Sequence, residues 1–210
     1  YEIQECYDIS MVLYRFAMFM TSCTEVPFKQ ITLYKKRSVA GWFYCPLISK
    51  ETVSCNDVNF CKFDVMKYVP KILNNIALDS GNKITQSVPL GHIGNFNSLF
   101  SPQRFVEQVM AFEYLFDKLD HKKAQNKKFT LKNELECMLN EFPQLLSNSK
   151  LSSDSVSEQI KEIRRTIAHG YAYYYDFKND SNIQYLLILL DNLIRNMSLL
   201  WIGFSKEEIA

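Results

Sequence analysis

The spacing of hydrophobic residues divides the chain into two parts of different character. From about residue 101 onward, apolar residues recur at intervals of three and four, the spacing of one face of an α-helix. Ser101 and Pro102 form a start signal for the first such stretch, Ser155 and Glu158 form a capping box for the third, and Gly170 is placed to end it. Four amphipathic helices with short links predict a small helical bundle. The predicted helices cover about residues 102–119, 131–146, 155–169 and 182–201.

The first 95 residues have a mixed pattern. Asp8 or Ser10 is a candidate cap for a helix that is apolar nearly all round, so we expect this helix to be buried. Strand-like stretches follow, and then a helical pattern in which Pro70 begins or kinks the helix. We therefore predict a mainly α fold, with a mixed α/β segment at residues 1–95, part of a larger N-terminal region, and a helical domain at 96–210. The predicted strands cover residues 28–34 and 41–45, and the helical pattern covers 64–76.

Composition excludes several classes of protein. The 210 residues are 47% hydrophobic and 22% charged with a formal net charge of +1, which excludes a disordered tail and a polycation that coats nucleic acid. No apolar run approaches the roughly 20 residues of a membrane span, and no export signal opens the chain. We expect a cytoplasmic protein without a membrane partner. Because the chain begins at Tyr1 rather than Met, we interpret it as a fragment that lacks its N-terminal part.

Candidate metal ligands are few. The six cysteines include no CxxC pair, so free thiols are the favoured interpretation. The three histidines are His92, His121 and His169. We predict no metal site and no cofactor, since phosphate-binding, dinucleotide and zinc-protease motifs are also missing from the sequence.

Residues 162–171 carry the most chemistry, with the sequence EIRRTIAHGY. They place Arg164, Arg165 and His169 at the C-terminal end of the third predicted helix, where the helix dipole stabilises a charged imidazole. A histidine that titrates near neutrality can act as general acid or base, and an arginine can bind a phosphate and neutralise developing charge. Such groups could cleave RNA without metal, through attack by the 2′-hydroxyl and formation of a 2′,3′-cyclic phosphate. The alternative is structural, because arginine and a capping histidine are both favourable at a helix C-terminus.

The spacing Arg164-x4-His169 resembles the Rx4–6H signature of the HEPN superfamily, and residues 163–170 (IRRTIAHG) are similar to its usual context. The order of four helices, with the motif ending the third, is also that of HEPN domains. More narrowly, residues 105–114 (FVEQVMAFEY), preceded by a mixed segment, resemble the ApeA-like branch of bacterial anti-phage proteins. The resemblance implies a ribonuclease whose catalytic residues are Arg164 and His169.

The resemblance also implies partners. HEPN nucleases are typically homodimers in which two motif helices form one composite site, so that one histidine position supplies both acid and base. The expected function is a metal-independent endoribonuclease in abortive infection, with RNA as substrate and a phage-derived activator. The alternative is a non-catalytic binding or dimerisation module of the same fold. Tyr171 matches an RxxxxHxY variant of the signature, and Glu113 lies at an equivalent place in the first helix, where it orients the motif or forms a salt bridge.

One position departs from the family pattern. The residue after the motif arginine is usually a small polar group, but here it is Arg165. Residues five apart on a helix lie about 140° apart around its axis, whereas residues four apart nearly share a face. On a straight helix Arg165 therefore shares a face with His169, while the family pattern selects Arg164. We keep Arg164 as the first candidate and Arg165 as a helper or substitute.

Two further features bear on RNA. Lysines between the first two predicted helices, among them Lys122, Lys123, Lys127 and Lys128, are weak candidates for contacts to the RNA backbone, although a solvated loop is the favoured interpretation. The aromatic run at residues 171–177 could stack on bases, fill a dimer interface or pack into a core, of which packing is favoured.

Overall fold

The computed structural model describes residues 2–21, 30–43, 63–78, 100–119, 129–147, 149 and 151–209. These residues belong to two compact units, one within residues 2–78 and the other within 100–209. The described part of the chain is mainly helical and contains a small two-stranded sheet. The boundary predicted near residue 95 falls outside the described residues.

The first unit contains two helices and a hairpin. Its elements are helix α1 (Ile3–Thr21), strands β1 (Ile31–Lys35) and β2 (Ser38–Phe43), a 3-10 turn (Phe63–Tyr68) and helix α2 (Val69–Leu78). The two strands are antiparallel and joined by a two-residue turn in which Lys36 has φ 58°. Both strands overlap the predicted ones but are shifted along the chain, and Pro70 lies at the start of α2 as predicted.

Two predictions for the first helix are wrong. Neither Asp8 nor Ser10 caps it, because α1 begins at Ile3 and the carboxylate of Glu5 already accepts the free backbone N–H of Glu2 (2.8 Å). The helix is also not buried throughout, since Leu13 is 45% exposed. Several other apolar residues of α1, among them Ile3 and Ile9, are also exposed to solvent.

The second unit contains the four predicted amphipathic helices, with small differences in their bounds. They are α3 (Pro102–Lys118), α4 (Leu131–Glu141), α5 (Ser153–Ala168) and α6 (Ser181–Trp201), followed by the short helix α7 (Lys206–Ile209). Helix α3 packs against α6, α4 packs against α5, and α3 also contacts α5. One hydrophobic core joins all four, and its members include Phe112, Leu139, Ile160 and Leu190.

Capping explains where these helices begin and end. Ser101 caps α3, with Pro102 in the first turn, as predicted. Helix α4 ends five residues earlier than predicted, because Pro143 disfavours a helical conformation at Phe142 and starts a separate 3-10 turn. The predicted capping box is wrong: the Ser152 hydroxyl caps α5 by accepting the N–H of Ser155 (3.2 Å). Several serines lie near the start of this helix, and Ser152 is the one whose hydroxyl reaches a free backbone N–H and so becomes the N-cap.

Candidate functional site

Helix α5 ends in a closed, regular turn at the predicted motif. The N–H of His169 donates to the carbonyl of Arg165 (3.1 Å), so the last α-helical hydrogen bond reaches the capping residue. Gly170, at φ +82°, donates to Ile167 (2.9 Å), and Tyr171 donates to Thr166 (3.0 Å). This pair of bonds is the Schellman arrangement, which glycine favours because it adopts the left-handed conformation without strain. The predicted terminating role of Gly170 is therefore confirmed.

The side chain of Arg165 is committed to an ion pair. Its Nη2 lies 2.5 Å from Oε2 of Glu162, one turn earlier on the same helix. Glu162 also lies 3.7 Å from Lys161, which in turn contacts Glu158 at 2.6 Å. Arg165 is thus the last member of a row of alternating charges along α5.

This row continues to α4 through Lys132. The Nζ of Lys132 lies 2.6 Å from Asp154 and 3.5 Å from both Glu136 and Glu158. The hydrogen bond from Lys132 lowers the pKa of Asp154, and hydrogen bonding chiefly from Lys161 lowers the pKa of Glu158. The same contacts, with Asp154 the largest, raise the pKa of Lys132. Lys132 therefore joins two helices.

The side chains of Arg164 and His169 are both exposed, and neither is paired as Arg165 is. Within the part of the chain that the structure describes, neither side chain makes a hydrogen bond or an ion pair. Because α5 is regular up to Ala168, the two residues project about 140° apart around its axis. The helix end does not fray in a way that would bring Arg164 round to His169. One copy of the chain consequently presents the two groups on different sides of the same helix end.

The aromatic run after the motif divides into an exposed part and a buried part. The exposed part contains Tyr171, Tyr173 and Tyr174, which are 49%, 71% and 68% exposed. Tyr171 precedes a 3-10 turn at Ala172–Tyr174, and the other two tyrosines belong to that turn. Phe177 is buried, with its ring centroid 6.1 Å from that of Phe105 in the core. Packing, the favoured interpretation of the whole run, is thus correct only for its C-terminal part.

Of the other predicted residues, the structure describes only Glu113. Glu113 is half-buried on α3 and forms no hydrogen bond or ion pair among the described residues. Lys122, Lys123, Lys127 and Lys128 lie outside the described residues. So do His92 and His121.

Sequence reasoning missed one buried polar cluster, which joins α3 to α6. Asp191 accepts from Arg104 Nη2 (3.3 Å) and from Gln108 Nε2 (3.3 Å), and its second oxygen lies 3.1 Å from Nε of Arg195. Burial lowers the pKa of Arg104 although Asp191 opposes that shift. The available signal was two polar residues four apart within the apolar stripe of α3, which marks a buried polar contact. This cluster holds two helices together.

Comparisons add no assignment to these observations. No protein-family model, curated protein or solved structure matches the chain. Within the described ranges, no three His, Cys, Asp or Glu side chains are grouped so that they could hold a metal ion. In the same ranges, every helix is too short or too polar to cross a lipid bilayer. Cys6 and Cys137 are free thiols, and burial raises the pKa of Cys137.

Proposed function

We propose that this chain is the helical part of an HEPN-type endoribonuclease that cleaves RNA without a metal ion, acting in the bacterial cytoplasm in anti-phage defence. The observation that carries the proposal is the state of the motif at the end of α5. His169 is exposed at the helix C-terminus, and Arg164 is exposed without a carboxylate partner among the described residues. Phosphodiester cleavage needs an imidazole and a guanidinium, and both groups are exposed at this helix end.

The proposed reaction uses only proton transfer and charge stabilisation. One imidazole removes the proton from the ribose 2′-hydroxyl, and the resulting oxygen attacks the adjacent phosphorus. A guanidinium neutralises charge on the phosphoryl oxygens, and a second, protonated imidazole donates to the departing 5′-oxygen. The products are a 2′,3′-cyclic phosphate and a free 5′-hydroxyl. Two imidazoles are required, and the described part of one chain offers a single histidine.

A homodimer supplies the second imidazole. If two copies of α5 meet near a two-fold axis, each copy contributes one His169 and one Arg164. The 140° separation within one helix favours this arrangement, since Arg164 of one copy can face the phosphate beside which His169 of the other transfers a proton. We assign the catalytic arginine to Arg164, because Arg165 is already paired with Glu162. Tyr171 and Glu113 have no assigned step in this scheme.

The proposal is tested by the chemistry of the products. We expect the dimeric protein to cut single-stranded RNA in the presence of EDTA. The ends of the products should resist phosphatase until a treatment has opened the cyclic phosphate. Loss of activity with EDTA, or products with a 5′-phosphate, would contradict the mechanism. The activating signal belongs to the same proposal: a phage-derived component added to the assay should increase the rate.

The composite site has its own test. When wild-type and His169→Ala chains are mixed in equal amounts and allowed to exchange, a site that needs both histidines leaves about a quarter of the dimers active. Independent sites would leave about half of the activity. Full loss of cleavage in a strictly monomeric variant would support the first result.

A non-catalytic module is the second candidate. The regular capping of α5 and the row of ion pairs favour it, because the turn at Gly170 and the pair of Arg165 with Glu162 give the motif a structural role. In that case RNA would remain intact in every assay above.

A further inference from the structure

Three exposed tyrosines follow the end of α5 and form one surface, which we call the tyrosine cluster (Tyr171, Tyr173 and Tyr174). The ring centroids of Tyr173 and Tyr174 lie 4.5 Å apart, and that of Tyr171 lies 6.1 Å and 5.9 Å from them. About half of Tyr171 and about 70% of Tyr173 and Tyr174 is open to solvent. A hydrogen bond between the Tyr173 and Tyr174 side chains raises the pKa of Tyr173. The cluster is a neutral aromatic surface on an otherwise polar helix end.

The backbone holds this cluster in place from both sides. On the N-terminal side is the closed turn of α5, and within the cluster the N–H of Tyr174 donates to the carbonyl of Tyr171 (3.1 Å). On the C-terminal side the Tyr175 ring packs edge-on against Phe177, with centroids 6.2 Å apart, and Phe177 is buried. Asp180 then caps α6 by accepting the N–H groups of Asn182 and Ile183. Aromatic rings fixed in this way lose little conformational entropy when a ligand covers them.

An arginine in the last turns of α5 supplies a positive charge for an anionic ligand. Arg164 lies about 7.5 Å further back along the helix axis than His169, and its guanidinium has no carboxylate partner among the described residues. Three partly exposed tyrosines supply at most about half of the roughly 800 Å² per partner that a stable protein interface buries, which disfavours a second copy of the chain as the occupant of the cluster alone. Exposed aromatic rings and an arginine at the same helix end are instead typical of surfaces that bind single-stranded nucleic acid.

We propose that the tyrosine cluster binds the unpaired bases of single-stranded RNA by ring stacking, with Arg164 contacting the phosphate of the same segment. The route of the strand from the cluster to His169 rests on the proposed nuclease function. Stacking on Tyr173 and Tyr174 requires bases that are not already stacked in a duplex, so the surface selects single strands. Because every base has an aromatic face, the surface tolerates any sequence.

The test measures affinity rather than cleavage. A fluorescent single-stranded RNA of ten nucleotides is titrated with the full chain carrying His169→Ala, and its anisotropy gives the dissociation constant. In this background, Tyr173→Ala together with Tyr174→Ala should weaken binding about 5- to 100-fold. The corresponding Phe substitutions keep the ring faces and should change the affinity less than about threefold. Tyr34→Ala, which removes a tyrosine 66% exposed on β1, is the matched control and should have no effect.

Two further ligands make the result specific. A duplex of the same sequence and an abasic ribose-phosphate decamer should bind weakly and show no difference between the Tyr and Ala variants. Equal binding by the Ala and Tyr proteins, or equal loss with the abasic decamer, would overturn the proposal. A change in sedimentation behaviour without a change in RNA affinity would also overturn it, by indicating a protein interface.

The two proposals can fail separately. If wild-type protein leaves RNA intact but binds it through the tyrosines, the nuclease function is wrong and the cluster remains an RNA-binding surface. If wild-type protein cleaves RNA while the Ala substitutions leave affinity unchanged, the cluster proposal alone is wrong.

Discussion

Arg165 is paired with Glu162 across one turn of α5, at 2.5 Å between Nη2 and Oε2. Its neighbour Arg164 has no carboxylate partner among the described residues. The geometry of a straight helix places Arg165 on the side of His169, but the ion pair gives Arg165 a structural contact. Helical spacing and the motif alone do not decide which arginine is the candidate for catalysis. The ion pair with Glu162 favours Arg164, because it occupies the side chain of Arg165.

The two arginines should behave differently when they are removed. We expect Arg164→Ala to lower the rate of RNA cleavage at least 100-fold, because a charge that stabilises the transition state is lost. Arg165→Ala removes an exposed ion pair and should lower the rate no more than a few fold. Single-turnover cleavage assays of both variants, with circular dichroism to verify folding, measure this difference. The opposite order would assign the catalytic charge to Arg165.

Gly170 should be sensitive to any side chain. Its φ of +82° is strained for other residues, although a Cβ there would meet no atom within 4 Å. We expect Gly170→Ala to reduce the free energy of unfolding by about 1 kcal/mol, and Gly170→Asn to reduce it less, because asparagine tolerates this conformation better. Thermal denaturation of the three proteins tests the ranking. An alanine variant as stable as wild type would show that the Schellman turn does not form.

The ion pairs around Lys132 should make stability depend on acid pH. The pKa values of Asp154 and Glu158 are lowered from the ordinary values of 3.8 and 4.5, so their contribution is complete above those values and is lost as the pH falls through the lowered ones. We expect Lys132→Met to destabilise the protein at pH 7 and to have little effect near pH 2. Urea denaturation of both proteins at the two pH values provides the comparison. A destabilisation that is the same at both would mean that Lys132 acts through packing of its aliphatic chain.

The buried contact between Arg104 and Asp191 should be costly to break from one side. The Arg104 side chain is only 8% exposed, so Asp191→Ala leaves a desolvated charge without its partner. We expect a loss of about 3 kcal/mol in the free energy of unfolding. Replacing both residues, with Arg104→Met and Asp191→Leu, should recover part of that loss, since residue 104 then has no charge to desolvate, although Gln108 and Arg195 still lose their contacts to Asp191. If the double variant is as unstable as Asp191→Ala, the lost stability comes from poorer packing between the helices rather than from the unpaired charge of Arg104.

Local signals predicted the helical unit well. Ser101 with Pro102 and the glycine at 170 act within one turn of chain, so the sequence contains the whole of their physical cause. The burial of Ile160 and Ile163 likewise follows from their spacing on one helix face. The capping box at Ser155 failed because other serines nearby compete for the same N–H groups.

Contacts between distant residues were beyond the sequence. The link from Lys132 to Asp154 joins two helices, and the pair of Arg104 and Asp191 is separated by 87 positions. Hydrophobic spacing identifies which face of each helix is buried but not which polar side chains meet across the interface. In the first unit, the expected burial of α1 failed for the same reason, because a helix that is apolar all round needs partners that its own sequence does not specify.

The rate of RNA cleavage by His169→Ala tests the central claim most directly. His169 is exposed at the helix end and its side chain makes no hydrogen bond or ion pair among the described residues, so its removal should leave the circular dichroism spectrum and melting temperature unchanged. We predict a fall in cleavage rate of at least 100-fold, the contribution of general acid–base catalysis. Cleavage at the wild-type rate by the folded His169→Ala protein would contradict the assignment.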